Sequence, residues 1–393
     1  MPDAVSELAA RFRAVRAHSE ALAAPLSAED QQLQAMPDAS PTKWHLAHTS
    51  WFFEAVVLAP HAPGFRPYDE RWARLFNSYY ESLGPRHPRP QRGLLSRPSL
   101  DEVLAWRRVV DAGVITFIAE ADADTRAAAF PLVELGLQHE QQHQELMQTD
   151  ILAALALNPL APAAFPGEPP PWPAGVAGWL GFDGGEVEIG HVGAGFAFDN
   201  ETPRHAVRLQ PYEIARQLVT NAEYQAFVDD GGYRRAALWL SDGWAAVQAQ
   251  GWTGPLYWRD DGSEFTPHGP QPRAPQAPVR HLSFYEAAAY AEWAGARLPT
   301  EAEWEHAANS AAPPSQCFGA LWQWTRSSYE PYPRYRPWAG AVGEYNGKFM
   351  VGQIVLRGSS FATPPGHARA SYRNFFPPGA RWQFSGLRLA RDA

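Results

Sequence analysis

Of the 13 histidines in this chain, two stand four residues apart in the segment LGLQHEQQHQELMQTD, Leu135 to Asp150. On a helix, side chains at i and i+4 lie one turn apart on the same face. His139 and His143 can therefore reach a single metal ion. A third ligand has to come from another element, and the upstream segment KWHLAHTSWFFE offers His45 and His48. Three neutral imidazoles without a carboxylate suit several divalent metals, so the spacing alone does not choose the ion. The same residues also read H-E-x-x-H, the motif in which two histidines hold zinc and the glutamate, here Glu140, serves as general base. A zinc hydrolase is thus a rival reading. Against it, the motif needs a further ligand downstream, whereas this chain supplies a histidine-bearing segment far upstream. A third reading makes the pair purely structural, as solvated histidines at this spacing often are, in a non-catalytic ligand-binding protein.

These side chains need elements to carry them. Val5 to Ala24 has apolar residues at helical spacing. Asp38-Ala39-Ser40-Pro41-Thr42 supplies capping residues and a first-turn proline ahead of KWHLAHTSWFFEAVVLA. A Pro/Gly/Arg-rich loop, Pro60 to Pro98, includes FNSYYESLGPRHPRPQRG. Ser99 with Glu102 marks the start of a helical pattern from Leu100 to Ala121. A last pattern runs from about Phe130 to Leu157 and breaks at Asn158-Pro159. Four such segments predict an up-down four-helix bundle with its long loop after the second helix. Pro159 to Gly178 is proline-dense and reads as a semi-rigid linker. Beyond it, aromatics, glycines and short alternating segments predict an irregular, loop-rich α+β domain. Its clearest helices are Ser283 to Ala294 and one opened by the Thr300/Glu303 capping box. The expected division is residues 1–158, a linker 159–178, and 179–393.

Bulk properties narrow the partners. At 393 residues the chain exceeds the size at which one hydrophobic core keeps growing, so two domains are expected. A net charge of -9 argues against nucleic acid or an anionic membrane as the main partner. No apolar run approaches the roughly 20 residues needed to span a bilayer. The first residues carry acids and no apolar core, unlike a secretory signal. Cys317 is the only cysteine, which excludes an internal disulfide and a cysteine-rich zinc site. A cytoplasmic protein acting on small molecules is expected.

Several longer stretches resemble a known family. KWHLAHTSWFFE, FNSYYESLGPRHPRPQRG and HEQQHQELMQTDI are similar to the DinB-like helical domain of the ergothioneine-biosynthesis sulfoxide synthases. FDNETPRHAV, VTNAEYQAFVDDGGY, RLPTEAEWEHAA, LWQWTRSSY, LRGSSFAT and FSGLRLAR resemble the formylglycine-generating-enzyme (sulfatase-modifying factor) domain fused to it. That domain has a C-type-lectin-like fold. The resemblance spans nearly the whole chain, and the family includes selenoneine synthases. It implies Fe(2+) bound by His48, His139 and His143, with His48 chosen over His45 because relatives carry another residue type at the latter position. Gln142 and Asn374 match positions contacting the imidazole and trimethylammonium of hercynine, Nα-trimethylhistidine. Phe375 and Phe376 follow, and aromatic faces hold quaternary ammonium groups well. Tyr79 or Tyr80 is implied to supply a proton during oxygen reduction. Arg86 and Arg89 are placed to hold a polar or anionic part of the donor.

The implied reaction is oxidative C–S or C–Se bond formation between hercynine and a thiol or selenol donor, with dioxygen as oxidant. Both partners are held together, which makes the coupling effectively intramolecular. The resemblance also places Asn374 and the iron ligands in different domains, which together would enclose hercynine. Relatives using cysteine or gamma-glutamylcysteine commonly read GGSCAT where this chain has Gly358-Ser359-Ser360-Phe361-Ala362-Thr363. The ring of Phe361 leaves room for another donor, a selenosugar among them. Formylglycine generation itself uses a cysteine pair, which a chain with Cys317 alone does not supply.

Overall fold

The computed structural model describes residues 4–393. They form two compact units: residues 4–166 with Pro267–Gly269, and Gly167–Thr266 with Pro270–Ala393. The proline-dense stretch thus divides between the units instead of standing outside them. No helix among the described residues is long and apolar enough to cross a membrane.

The first unit is a helical bundle. Helix α1, Ala4–Ala23, buries Leu8, Phe12, Arg16, Ser19 and Ala23 along one face. Helix α2, Thr42–Phe52, is buried on every side. It continues through wider π turns at Phe53–Leu58 and ends at Ala59–His61. Pro41 occupies its N-cap position and no side chain caps it. The expected first-turn proline is therefore one residue earlier, and the Ser40 N–H instead donates to Asp150 Oδ2 at 2.8 Å. Helix α3, Leu100–Glu120, opens on the expected capping box of Ser99 and Glu102. Helix α4, Ala123–Ala156, starts seven residues before the apolar pattern suggested, because Asp122 caps it and Pro131 is tolerated inside. Pro131 cannot donate to the carbonyl of Ala127 one turn earlier, and it falls in the first turns of the helix beside the exposed residues Ala127 and Ala128. Helices α1 and α2 each pack on both α3 and α4.

The loop after α2 is tied down along its length. Trp72 and Phe76 pack on Trp106 of α3, with ring centroids 5.2 and 5.6 Å apart. Trp106 Nε1 donates to Glu54 Oε2 at 2.9 Å. Lys43 Nζ donates to the carbonyls of Leu95 and Pro98 at 2.8 and 3.0 Å. Trp44 Nε1 donates to the carbonyl of Leu75 at 3.1 Å. A sequence that reads as loop is thus held as a fixed wall over α2.

The second unit is the expected loop-rich α+β fold. A three-stranded antiparallel sheet places Tyr212–Ala215 between Trp179–Phe182 and Ala390–Asp392. In a second sheet, Trp322–Ser328 pairs parallel with Ser385–Gly386 and antiparallel with Ile354–Gly358. The latter pairs antiparallel with Asn374–Phe376. Helices Phe284–Trp293 and Glu301–Ala308 begin at the capping boxes of Ser283/Glu286 and Thr300/Glu303. Ile189, Tyr212, Ile214, Trp304 and Cys317 share one apolar cluster. Beside it, Glu301 receives Arg357 Nη2 and Arg373 Nε, each at 2.9 Å. From Gly167 on, the proline-dense stretch is bonded into this unit, with the Pro173 carbonyl accepting from Gln316 Nε2 at 2.8 Å.

Candidate metal centre

Helices α2 and α4 bring three imidazoles to one point. His48, His139 and His143 each offer a ring nitrogen, and these atoms lie within 4.8 Å of one another. No other group of three histidine, cysteine or carboxylate ligands converges in this way among the described residues. His48 and His139 approach Nε2 to Nε2 at 3.2 Å. All three side chains are buried.

The protonation pattern follows from the surroundings. His48 Nδ1 is 2.6 Å from the carbonyl oxygen of Phe76, which can only accept. The Nδ1 position therefore carries the proton, and Nε2 keeps its lone pair. Burial, reinforced by neighbouring His139, drives the pKa values of His48 and His143 well below the usual imidazole range. Burial likewise lowers His139, to about 3. At neutral pH the trio consists of neutral imidazoles, the form that binds metal. This donor set fits a divalent transition ion, with His48, His139 and His143 as its holders.

The ring of His48 is clamped. Trp44 stacks on it with centroids 4.6 Å apart and planes at 14°, and Trp51 stacks at 5.5 Å and 12°. Phe52 packs on His139 at 4.8 Å. Trp44 and Trp51 lie at i-4 and i+3 from His48, so helical spacing could have disclosed the clamp. Nothing in the sequence pointed to the Phe76 carbonyl. The guanidinium of Arg92 lies 3.4 Å from the Trp44 ring centroid and donates to Ser40 Oγ and Ser78 Oγ at 3.0 and 3.1 Å. Burial, and then Arg89, lowers its pKa to about 9.

Glu140, the base of the hydrolase reading, is engaged elsewhere. Its carboxylate accepts from Arg16 Nη1 at 2.9 Å, Arg107 Nη2 at 2.5 Å and Ser19 Oγ at 2.6 Å. Burial would push its pKa up, but Arg107 and Arg16 outweigh it and hold the group at about 2. A carboxylate so committed cannot take a proton from a metal-bound water. The motif is matched in letters, while its glutamate serves the bundle interior.

The other expected residues are distributed as follows. Tyr80 is buried against Trp51 and Phe52, at 5.5 and 6.2 Å, and Tyr79 stacks on Tyr80 at 5.1 Å. Gln142 is half-buried on α4, next to His143. Arg86 and Arg89 are exposed; Arg86 pairs with Glu81 at 3.1 Å, and Arg89 donates to the carbonyl of Asp38. Asn374, Phe375 and Phe376 are half-buried on an edge strand of the second unit. There Phe375 stacks on Tyr329 at 4.0 Å, and Asn374 Oδ1 accepts the Phe375 N–H at 2.8 Å. Phe361 packs between Trp172 and Phe384, at 5.5 and 4.4 Å, which gives its ring a packing role in that unit.

Comparison with known proteins gives this architecture a class. Residues 11–147 match the DinB superfamily, and residues 174–318 and 315–393 match the sulfatase-modifying factor enzyme 1-like domain. The chain is therefore a fusion of a DinB-type helical domain with a sulfatase-modifying-factor-type domain. It is 32% identical over 417 residues to the hercynine oxygenase of Mycolicibacterium thermoresistibile, covering 91% of this chain and 88% of that protein. With the hercynine oxygenase of Mycolicibacterium smegmatis it shares 34% identity, over 91% of this chain and 92% of the other. The formylglycine-generating enzyme of Streptomyces coelicolor is 38% identical, over 40% of this chain and 54% of that protein. Among solved structures, PvdO from Pseudomonas aeruginosa aligns with 55% of this chain and 94% of its own, at 20% identity and a TM-score of 0.34. The chain belongs to the hercynine oxygenase family.

Proposed function

We propose that this protein is an Fe(2+)- and dioxygen-dependent enzyme. It joins sulfur or selenium from a thiol or selenol donor to an imidazole carbon of hercynine, in ergothioneine or selenoneine biosynthesis. The observation that carries the reading is the convergence of His48, His139 and His143 as neutral imidazoles with no carboxylate in the group. When bound, iron would supply one-electron chemistry with dioxygen and positions at which both substrates are held. For a thiol donor the balance is simple. The thiol S–H and the imidazole C–H are lost, one oxygen atom enters the product as a sulfoxide, and the other leaves as water.

The chain's own residues divide the remaining work. Trp44 and Trp51 keep His48 in one plane, so the ligand set is ordered before substrate arrives. In this reading Gln142 and Asn374 bind hercynine, with Phe375 and Phe376 facing its ammonium group. Arg86 and Arg89 hold the donor, and Tyr79 or Tyr80 delivers a proton. The test is anaerobic loading with ferrous iron, then hercynine and oxygen with cysteine, gamma-glutamylcysteine or a selenosugar, products being read by mass. A coupled product with one donor supports the proposal and identifies the donor. Iron-loaded protein that only oxidises each donor would refute it, and turnover without oxygen would favour hydrolysis.

A further inference from the structure

His45, the upstream histidine outside the trio, is 2% exposed, yet both its ring nitrogens are engaged. Nε2 is 3.1 Å from Asp150 Oδ2, and Nδ1 is 2.7 Å from His143 Nδ1. Asp150 is seven residues beyond His143 on the same face of α4, and its Oδ2 also accepts the Ser40 N–H at 2.8 Å. Each contact has a required polarity. A carboxylate oxygen already accepting a backbone N–H faces His45 as an acceptor, so the His45 proton sits on Nε2. The His45 Nδ1 then has only a lone pair to offer. Two bare nitrogens 2.7 Å apart would repel, so the proton between the rings belongs to His143 Nδ1. His143 is left with its lone pair on Nε2.

We infer that Asp150 and His45 form a relay that locks His143 in its Nδ1–H tautomer and so presents His143 Nε2 to the metal. His45 is a positioning residue and not a ligand, because its own lone pair is spent on His143. This inference rests on the reading that the trio holds a metal. It explains why two histidines one turn apart on α2, both buried, have different tasks. His48 takes its orientation from a backbone carbonyl, whereas His143 takes it from a second side chain anchored on α4. Partners that orient a ligand in this way typically set metal affinity by about 10–100-fold.

The relay can be tested in the full-length protein with and without metal. In the metal-free protein, nitrogen–proton correlation spectra of labelled histidines should place the His143 proton on Nδ1. In His45→Ala and Asp150→Ala that preference should collapse. Cobalt(II), competed against a chelator, should bind these variants about 10–100-fold more weakly than wild type. His45→Gln offers a carbonyl acceptor and an amide donor in the same polarity, and should stay within about threefold of wild type. It also keeps the test alive should the alanine variant fold poorly. Wild-type affinity in His45→Ala would overturn the relay, and so would a Gln variant that folds but binds as weakly as alanine. Complete loss of binding in folded His45→Ala, matching His143→Ala, would make His45 a ligand and also overturn it. Should His48→Ala and His139→Ala bind cobalt like wild type, the metal reading itself fails, while the tautomer measurement still judges the relay.

Discussion

His48 and Glu140 show how a residue's neighbours assign its role. His48, stacked between Trp44 and Trp51 and donating to the Phe76 carbonyl, has one nitrogen left for a metal. Replacing His48, His139 or His143 by alanine should weaken ferrous iron binding by more than about 100-fold, beyond the range of second-layer partners. Metal analysis after anaerobic loading checks this, and a variant that loads like wild type leaves the ligand set. Glu140 faces two arginines, and Glu140→Gln leaves two buried cations short of a carboxylate. The expected cost is about 3–5 kcal/mol of stability, read from denaturant midpoints, with the folded fraction still binding metal. A catalytic base would show the reverse: unchanged stability and lost turnover. Tyr79 and Tyr80 are separable by single changes to phenylalanine. Because Tyr80 packs on Trp51 and Phe52, its ring should still fit without the hydroxyl. If one hydroxyl delivers the proton, that variant should bind iron and hercynine normally but shift product from coupled compound to oxidised donor. An unchanged partition in both variants would dismiss the role.

At the scale of elements, the π-turn segment after α2 and the face of α4 meet too closely for ordinary side chains. A Cβ added at Gly136 would lie 2.5 Å from Phe53 Cε1 and 3.0 Å from Phe52 Cε1. Phe53 is fully buried, so its ring has nowhere to retreat. Alanine at this position gains about 1 kcal/mol of helix propensity. Overpacking of about 1–3 kcal/mol opposes that gain. A clash with two aromatic rings belongs at the upper end, so Gly136→Ala should be destabilising by about 1–2 kcal/mol net. Because Phe52 packs on His139, metal affinity should fall as well. Equal or greater stability in chemical denaturation would show that the rings move aside cheaply.

At the scale of the whole molecule, the three metal-ligand candidates belong to the first unit, and the second unit has its own polar core. There, burial would raise the Glu301 pKa, but Arg373 and Arg357 prevail and hold it below its usual 4.5. A carboxyl with a depressed folded-state pKa contributes stability that is complete above its unfolded value and lost as pH falls through the folded one. Wild type should therefore exceed Glu301→Gln by about 3 kcal/mol near neutrality. Denaturant midpoints measured at descending pH should begin to approach one another below the unfolded value near 4.5 and meet once the pH is below the lower folded value. A gap that stays constant or widens on acidification would show that the arginines do not hold this carboxylate charged.

The local part of this architecture was legible in the sequence because its causes act within about one helical turn. Ser99, Ser283 and Thr300 each cap a helix with a glutamate three residues on, and His139 and His143 share a face by spacing alone. Helix α4 begins seven residues before its apolar pattern, because Asp122 caps it and its first turns, with Ala127 and Ala128 exposed, carry little apolar signal. Likewise, letters alone could not separate His45 from His48, or show that Glu140 faces arginines. Those assignments depend on partners 28, 98 and 105 residues away in the chain for the two upstream histidines. Arg16 lies 124 residues from Glu140. Periodicity tells which face of a helix a side chain occupies. Only the packed bundle, by bringing carbonyl, carboxylate and guanidinium groups from distant segments against that face, decided which nitrogen keeps its lone pair.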